Sequence, residues 1–207
     1  MLNEALEATT KNLTIEIAEE DLKTLKQNNY KLCFAKKVGN NDYNVVWQSS
    51  DGYLINNEFS WTPQYQIFGS NTFQDSVTVE ASTGPKGIGL GEQITLDKAG
   101  VFGEPSTGGP DTSITMHNEY GSIHPGVNQL STAIDGTQTS TPIYVAVNSV
   151  VQGDTVLTPV DKVLVWFQQD IETSTMFSES RSNSIEVDLT DSDSATRKYQ
   201  DEKWITP

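Results

Sequence analysis

The feature that most constrains this chain is a repeated alternation of apolar and polar residues across positions 30–189. The alternating segments are short and rich in Val, Ile, Thr, Tyr and Trp, and clusters of Gly, Asn, Asp and Pro separate them. A period of two residues places successive side chains on opposite faces of a β-strand, and the clusters are typical of turns. The pattern predicts an all-β fold, a mostly antiparallel β-sandwich that is immunoglobulin-like or jelly-roll-like.

The length of 207 residues suits a single domain, because sandwiches of this size commonly remain undivided. We expect a flexible N-terminal segment over residues 1–12 and a single β-sandwich domain over residues 13–207. The one predicted helix, short and near the N-terminus, covers residues 18–29. Three carboxylates in its first turn favour the positive end of the helix dipole.

A hairpin near the start of the domain is the strongest local prediction. Residues 30–38 alternate, a turn of Gly, Asn and Asp follows at residues 39–42, and residues 43–48 are expected to return as a strand. Residues 59–67 also alternate, but Pro63 cannot donate a backbone hydrogen bond. This strand is therefore expected at a sheet edge or broken at the proline.

Later segments give three further expectations. Residues 163–167 contain no polar side chain, so both faces of that strand should be buried. Residues 100–142 are rich in Gly and Pro, and so long a stretch without strands is uncommon in a compact domain. These residues contain either short strands that the pattern does not reveal or a long loop that carries function. Trp204 should be packed against the body.

The charge balance limits the classes of partner. With 28 acidic and 13 basic residues, the formal net charge is −15. Such a field repels the phosphate backbone of nucleic acid and the surface of anionic lipid, so no nucleic-acid partner is expected. A homo-oligomer remains open, but it has to bury or screen those carboxylates.

Features that bear on location are few. Cys33 is the one cysteine, so no internal disulfide forms and nothing requires an oxidising compartment. The N-terminal residues lack the apolar stretch of a signal peptide, and no run approaches the ~20 apolar residues of a transmembrane segment. The location is otherwise unknown: these features predict a cytoplasmic protein or one released without a classical leader.

Two tyrosines and two histidines are the candidate ligand-binding residues. Tyr53 and Tyr120 are expected in loops beside glycine, where exposed rings stack on sugars or anchor a partner. His117 and His124 lie in the loop-rich segment, and together with Glu119 they resemble a zinc-ligand set in composition. Their spacing matches no zinc pattern, so the metal stays unassigned.

Other reactive-looking residues favour structural roles. Cys33 lies within a predicted strand, where a thiol behaves as a small hydrophobe. The glycines of residues 87–91 are not followed by a helix, so they do not form a dinucleotide loop. Asp188, Asp191 and Asp193 lack the glycine and distal glutamate of a calcium loop. We therefore expect no enzymatic activity and no cofactor.

The leading functional hypothesis is a non-enzymatic protein that acts through its loops. It would bind a glycan or a protein partner, or self-associate as a structural or assembly protein. A metal-dependent enzyme around His117 and His124 is the third hypothesis.

The alternative is a pore-forming toxin, cytolytic or insecticidal, and only this hypothesis includes a membrane as partner. Residues 70–82 and 173–190 are rich in Ser and Thr and alternate weakly. Such strands can form a membrane barrel with hydroxyl groups facing the lumen. The order of a short helix followed by a β-sandwich resembles small cytolysins and fungal or bacterial lectin-like sandwich proteins, but no functional motif of either class matches residue by residue.

Overall fold

The computed structural model describes residues 10–207, which form a mostly β chain with several sheets and one short helix. The helix, α1, is Glu19–Gln27, as the acidic first turn predicts. The strands are β1 Lys11–Ile17, β2 Lys31–Val38, β3 Gln48–Ser50, β4 Asn56–Ser70, β5 Lys86–Ile88, β6 Glu92–Leu96, β7 Ser106–Thr107, β8 Ile114–Asn118, β9 His124–Thr132, β10 Gln138–Val145, β11 Gly153–Leu157, β12 Pro159–Gln168, β13 Ile185–Asp188, β14 Ser194–Gln200 and β15 Lys203–Ile205.

These strands form three sheets. The first has the order β10-β9-β4-β1-β14-β15, with β5 also paired to β4; the second has the order β11-β8-β6-β7, and the third β13-β12-β2-β3. Among the described strand pairs, β1 with β14 and β6 with β8 are parallel, and the rest are antiparallel. The prediction of an all-β, mostly antiparallel, sandwich-like fold with one helix is confirmed.

The main core draws apolar side chains from all three sheets. Phe34 of β2 stacks on Phe59 of β4 with ring centroids 4.3 Å apart, and the ring of Trp47 meets Phe59 edge-on at 5.0 Å. Leu96 of β6 and Val163 of β12 belong to the same cluster and are fully buried. Burial of such side chains contributes about 1.5–3 kcal/mol each, so this cluster joins the sheets.

The third sheet is covered on both faces, as the apolar run in β12 predicts. Val163 and Val165 point into the main core, whereas Trp166 belongs to a second cluster with Cys33 and Phe177 on the opposite face. Residues 43–47 and 171–178 lie over that outer face. Backbone hydrogen bonds join these two segments, so they form an irregular cover above the sheet.

The hairpin returns to β2 in antiparallel pairing, but the predicted bounds of the return strand, residues 43–48, are wrong. The strand that pairs with β2 is β3, which places Gln48 opposite Phe34, and the Trp47 N–H just before it donates to the carbonyl of Phe34. Residues 44–46 pair instead with residues 174–177. Val45, Val46 and Trp47 are all fully buried. A half-exposed hairpin strand would leave one of these consecutive apolar side chains in water. Here each is buried in a different cluster: Val45 packs with Met176, Val46 packs beneath the cover, and Trp47 enters the main core.

The strand β4 resolves the two alternatives left open at Pro63. It pairs with both β1 and β9, so it is not an edge strand, and its register with β9 shifts between Trp61 and Tyr65. The proline lies within this irregularity, where no ladder hydrogen bond is required of it. The loop-rich stretch 100–142 contains the hidden strands β7, β8 and β9 and the start of β10.

Both ends of the described chain lie in the first sheet. β1 begins at Lys11, while most of the predicted flexible segment 1–12 lies outside the described residues. Trp204 stacks on Phe167 at 5.5 Å, and its ring N–H donates to the carbonyl of Asn183 at 2.9 Å, so the tryptophan is anchored as expected. Asp201 and Glu202 both have positive φ, which the tight turn between β14 and β15 requires.

Candidate ligand-binding site

The expected exposure of Tyr53 is wrong, because its side chain is fully buried. The hydroxyl donates to the carbonyl of Tyr30 at 2.9 Å, and the ring meets Phe167 edge-on at 5.5 Å. The Lys26 ammonium of α1 lies 4.4 Å from the ring centroid. Tyr53 therefore fixes the helix against the body and cannot contact a partner.

The two histidines occupy different environments. His117 on β8 is half-exposed and hydrogen-bonds through Nδ1 to Asp154, while its Nε2 lies 3.8 Å from Glu119. The hydrogen bond to Asp154 is the main cause that raises the pKa of His117; burial opposes it, and the negative charges of Asp154 and Glu119 add to the rise. His124 instead contacts the carbonyl of Ala146 through Nδ1 at 2.7 Å.

No three or more His, Cys, Asp and Glu side chains within residues 10–207 are grouped so that they could hold a metal ion. Tyr120 is 45% exposed, and its backbone N–H donates to Oδ1 of Asn118 at the end of β8. Of the four predicted residues, Tyr120 and His117 thus lie at the surface near the same strand end.

A cavity with a better-defined wall than the surface around Tyr120 and His117 lies at one corner of the molecule. Three segments meet there: residues 39–44, the residues that follow β10, and residues 177–178. The cavity is open and has a volume of about 540 Å³. Four carboxamides line it, those of Asn40, Asn41, Asn44 and Asn148. We refer to it as the asparagine cavity.

Asn44 is the most informative of these residues because it is only 3% exposed. Its Nδ2 donates to the carbonyl of Val145 at 2.6 Å, and its backbone carbonyl accepts from Phe177 at 2.8 Å. Its Oδ1, however, is buried and accepts no hydrogen bond within residues 10–207. A buried acceptor without a partner costs about 1–3 kcal/mol, so a hydrogen-bond donor that reached this atom through a small adjustment of the wall would be favoured.

Aromatic rings form the apolar part of the same cavity. Tyr43, Tyr144 and Phe177 line it, and the hydroxyl of Tyr43 donates to Glu186 at 2.8 Å. Burial and the Glu186 carboxylate raise the pKa of Tyr43, so its hydroxyl remains protonated. The hydrogen bond to Glu186 holds the ring in one orientation. Rings held in place present flat apolar faces at little entropic cost.

The turn itself is fixed by backbone contacts. Gly39 has a φ of 59° and donates to the carbonyl of Thr158, while Nδ2 of Asn41 donates to the carbonyl of Val38 at 3.1 Å. On the other wall, Ala146 donates to the carbonyl of Pro125 at 2.8 Å. These contacts hold Asn40 and Asn148 at the rim as exposed side chains.

A second polar cluster is enclosed rather than open. Lys36 of β2 is 1% exposed, its Nζ lies 2.7 Å from Oδ1 of Asp161, and its ammonium lies 4.6 Å from the ring centroid of Trp61. Burial lowers the pKa of Lys36 to about 8, an effect that Asp161 partly offsets. Burial alone would raise the pKa of Asp161, but the Lys36 charge and the hydrogen bonds from Lys36 and Trp61 lower it.

The chain matches no protein-family model and has no match among curated proteins or solved structures. Within residues 10–207, no helix has both the length and the apolar character needed to cross a bilayer. The fold and the site define a sandwich-like β protein with an amide- and aromatic-lined cavity. Its function has to be argued from that cavity.

Proposed function

We propose that this is a non-enzymatic binding protein whose asparagine cavity holds a glycan. The observation that carries the proposal is the buried, unpartnered Oδ1 of Asn44 in the cavity wall. A sugar hydroxyl is a donor that can satisfy this atom once the wall adjusts to admit it. It can also accept from a carboxamide such as that of Asn40 or Asn148.

The composition of the wall supports a sugar over other small ligands. Carboxamides both donate and accept, which matches hydroxyl groups, whereas the rings of Tyr43 and Tyr144 offer apolar faces to the C–H surface of a sugar ring. The cavity of about 540 Å³ lies within the usual range of ligand pockets. Asp42 is the one Asp or Glu side chain that lines the cavity, so a sugar would be bound there more through hydrogen bonds than through charge.

The test is glycan-array binding, followed by titration calorimetry on the best array ligand. The double variant Asn40→Ala/Asn148→Ala removes two exposed amides without touching the buried core. We expect about tenfold weaker binding, because each net hydrogen bond contributes about 0.5–1.5 kcal/mol. Asn71→Ala, an exposed asparagine that does not line the cavity, is the matched control.

Two outcomes would overturn this proposal. One is a wild-type protein that binds no glycan on the array. The other is a double variant whose affinity equals that of Asn71→Ala, since the ligand would then lie elsewhere. Thermal unfolding of each variant shows whether a lost affinity reflects a lost fold.

Pore formation is a second candidate function, favoured by one specific observation. The two Ser/Thr-rich segments lie side by side: Met176 donates to Val77, Val79 donates to Ser174, and Thr78 forms an antiparallel bridge with Thr175. Most of this contact is irregular rather than ladder-like, and within residues 77–81 the strand pairing is reduced to that bridge. Such a weakly paired element is the kind that can rearrange.

A disulfide lock tests this candidate. Thr78→Cys/Thr175→Cys joins the two segments, because bridged residues lie within the Cα separation that a disulfide spans. Dye release from liposomes that is absent when the lock is oxidised and restored on reduction would favour pore formation. No dye release by the wild-type protein would exclude it, and each single cysteine variant serves as control.

A further inference from the structure

We infer that the glycan carries a single oxyanion, a carboxylate or a sulfate ester, and that Arg181 binds it in a second cavity contiguous with the asparagine cavity. The inference rests on the proposed function, because it names the chemical class of glycan. It adds a subsite outside the asparagine cavity.

The second cavity, of about 410 Å³, is lined by Arg181, Glu179 and the serines at 180 and 184. It shares Asp42, Tyr43, Phe177 and Ser178 with the asparagine cavity. A ligand longer than one sugar ring can therefore run from one cavity to the other past the rings of Tyr43 and Phe177. We refer to it as the Arg181 cavity.

The guanidinium of Arg181 is held in place by aromatic rings rather than by an acid. Its Cζ lies 4.3 Å from the ring centroid of Phe177 and 5.9 Å from that of Trp166. Its Nε is buried and has no hydrogen-bond partner within residues 10–207. The ion pairs of this described part of the chain do not include Arg181.

An unpaired guanidinium that is already oriented is suited to an incoming oxyanion. Its planar fork of N–H groups binds carboxylate or sulfate oxygens through two parallel hydrogen bonds, and stacking reduces the entropy lost on binding. Partial burial lowers the pKa of Arg181, but arginine remains charged in proteins. Burial also strengthens the attraction to an anion, because less water screens it.

Acidic residues around the same cavity limit how much negative charge it accepts. Asp42 and Glu179 also line it, and Glu179 is exposed. The whole chain carries a formal charge of −15, so each further anionic group on a ligand adds repulsion within the Debye length of about 8 Å. This charge pattern favours one acidic group on an otherwise neutral glycan and disfavours heavily sulfated chains.

The experiment is an array of matched glycans that are neutral, carry one sialic or uronic acid, carry one sulfate ester, or are polysulfated. Wild-type protein should bind members with one acidic group at least tenfold more tightly than their neutral counterparts. Arg181→Gln should remove that preference and leave neutral binding within about twofold. Arg181→Lys should keep part of the preference, because it retains the charge without the planar fork. Whether carboxylate or sulfate ester is preferred identifies the oxyanion.

The outcomes separate this inference from the proposed function. Neutral glycans that bind as tightly as acidic ones, or a preference that survives in Arg181→Gln, would overturn the role of Arg181 and leave glycan binding intact. Tightest binding by the polysulfated members would also overturn it. If no glycan of any kind binds, the proposed function fails and the inference fails with it. Thermal unfolding of both Arg181 variants controls for loss of fold.

Discussion

The Nζ of Lys36 lies 2.7 Å from Oδ1 of Asp161, and this contact joins β2 to β12 across an irregularity in their pairing. The register of the two strands shifts between Pro159 and Val163, so that Val163 is the residue opposite Lys36. Asp161 lies within the shifted stretch, where a bulge can redirect a side chain. The irregularity thus brings a carboxylate to an ammonium that is otherwise enclosed by tryptophan rings.

Removing the Asp161 charge should destabilise the protein. Asp161→Asn leaves the buried Lys36 ammonium without its counter-ion, and breaking a buried pair in this way costs about 3 kcal/mol. Urea unfolding followed by tryptophan fluorescence measures the change. Glu172→Gln, which breaks the more exposed pair with Lys31, is the control and should cost less than about 1 kcal/mol. Equal costs for the two variants would contradict the structural role of the buried pair.

Lys36 should also make the free energy of unfolding change with pH in the alkaline range. Its pKa of about 8 in the folded protein lies below the ordinary value of 10.5, so unfolding takes up a proton in the interval between them. Stability should therefore rise with pH above about 8, relative to the double variant Lys36→Met/Asp161→Asn. The comparison is made below the ordinary tyrosine pKa of 10.0, because the raised pKa of Tyr65 acts in the opposite direction above it. A constant difference between the two proteins over this window would refute the prediction.

His117 should titrate above the ordinary histidine pKa of 6.5, because Asp154 accepts a hydrogen bond from its protonated ring. A raised folded-state pKa stabilises the protein below the unfolded value, and the contribution is lost as pH rises through the folded value. Proton NMR of the imidazole resonances gives the midpoint directly. Asp154→Asn should lower that midpoint, and Glu119→Gln should lower it less. An unchanged midpoint in Asp154→Asn would show that the contact does not persist in solution.

Cys33 should be inert in the native protein. Its side chain is fully buried, and burial raises the pKa of the thiol to about 12. The reactive thiolate is therefore scarce near neutral pH. Labelling with a thiol reagent such as iodoacetamide should be negligible at neutral pH and complete in denaturant, as mass spectrometry can measure. Rapid labelling under native conditions would indicate that the cover formed by residues 43–47 and 171–178 opens.

Local patterns predicted the elements whose side chains follow one simple periodicity. The acidic first turn of α1 and the apolar runs in β2 and β12 are visible in sequence because each depends on neighbours within a few residues. Residues 43–47 broke the pattern, since Val45 and Val46 are buried against a segment about 130 residues away, whereas Trp47 is buried in the main core. That contact leaves no local signature.

The candidate site was harder to predict for the same reason. Asn44, Tyr144 and Phe177 meet only through tertiary structure, and the asparagines at 40 and 41 are equally typical of an ordinary turn. The burial of Tyr53 leaves no local signal, because a tyrosine beside a glycine has the same local sequence whether its ring faces water or the core. Lys36 shares the parity of the apolar residues Leu32 and Phe34, yet nothing local identifies its partner.

The parallel pairing of β1 with β14 has a consequence for how this chain is made. β1 lies between β4 and β14. During synthesis, the edge of β1 that pairs with β14 therefore remains without a hydrogen-bonding partner until residues 194–200 have been made. Bare strand edges recruit other chains, and nascent polypeptides expose them for as long as translation lasts. Products truncated before residue 194 should therefore aggregate or require a chaperone, even though most of the core sequence is already present.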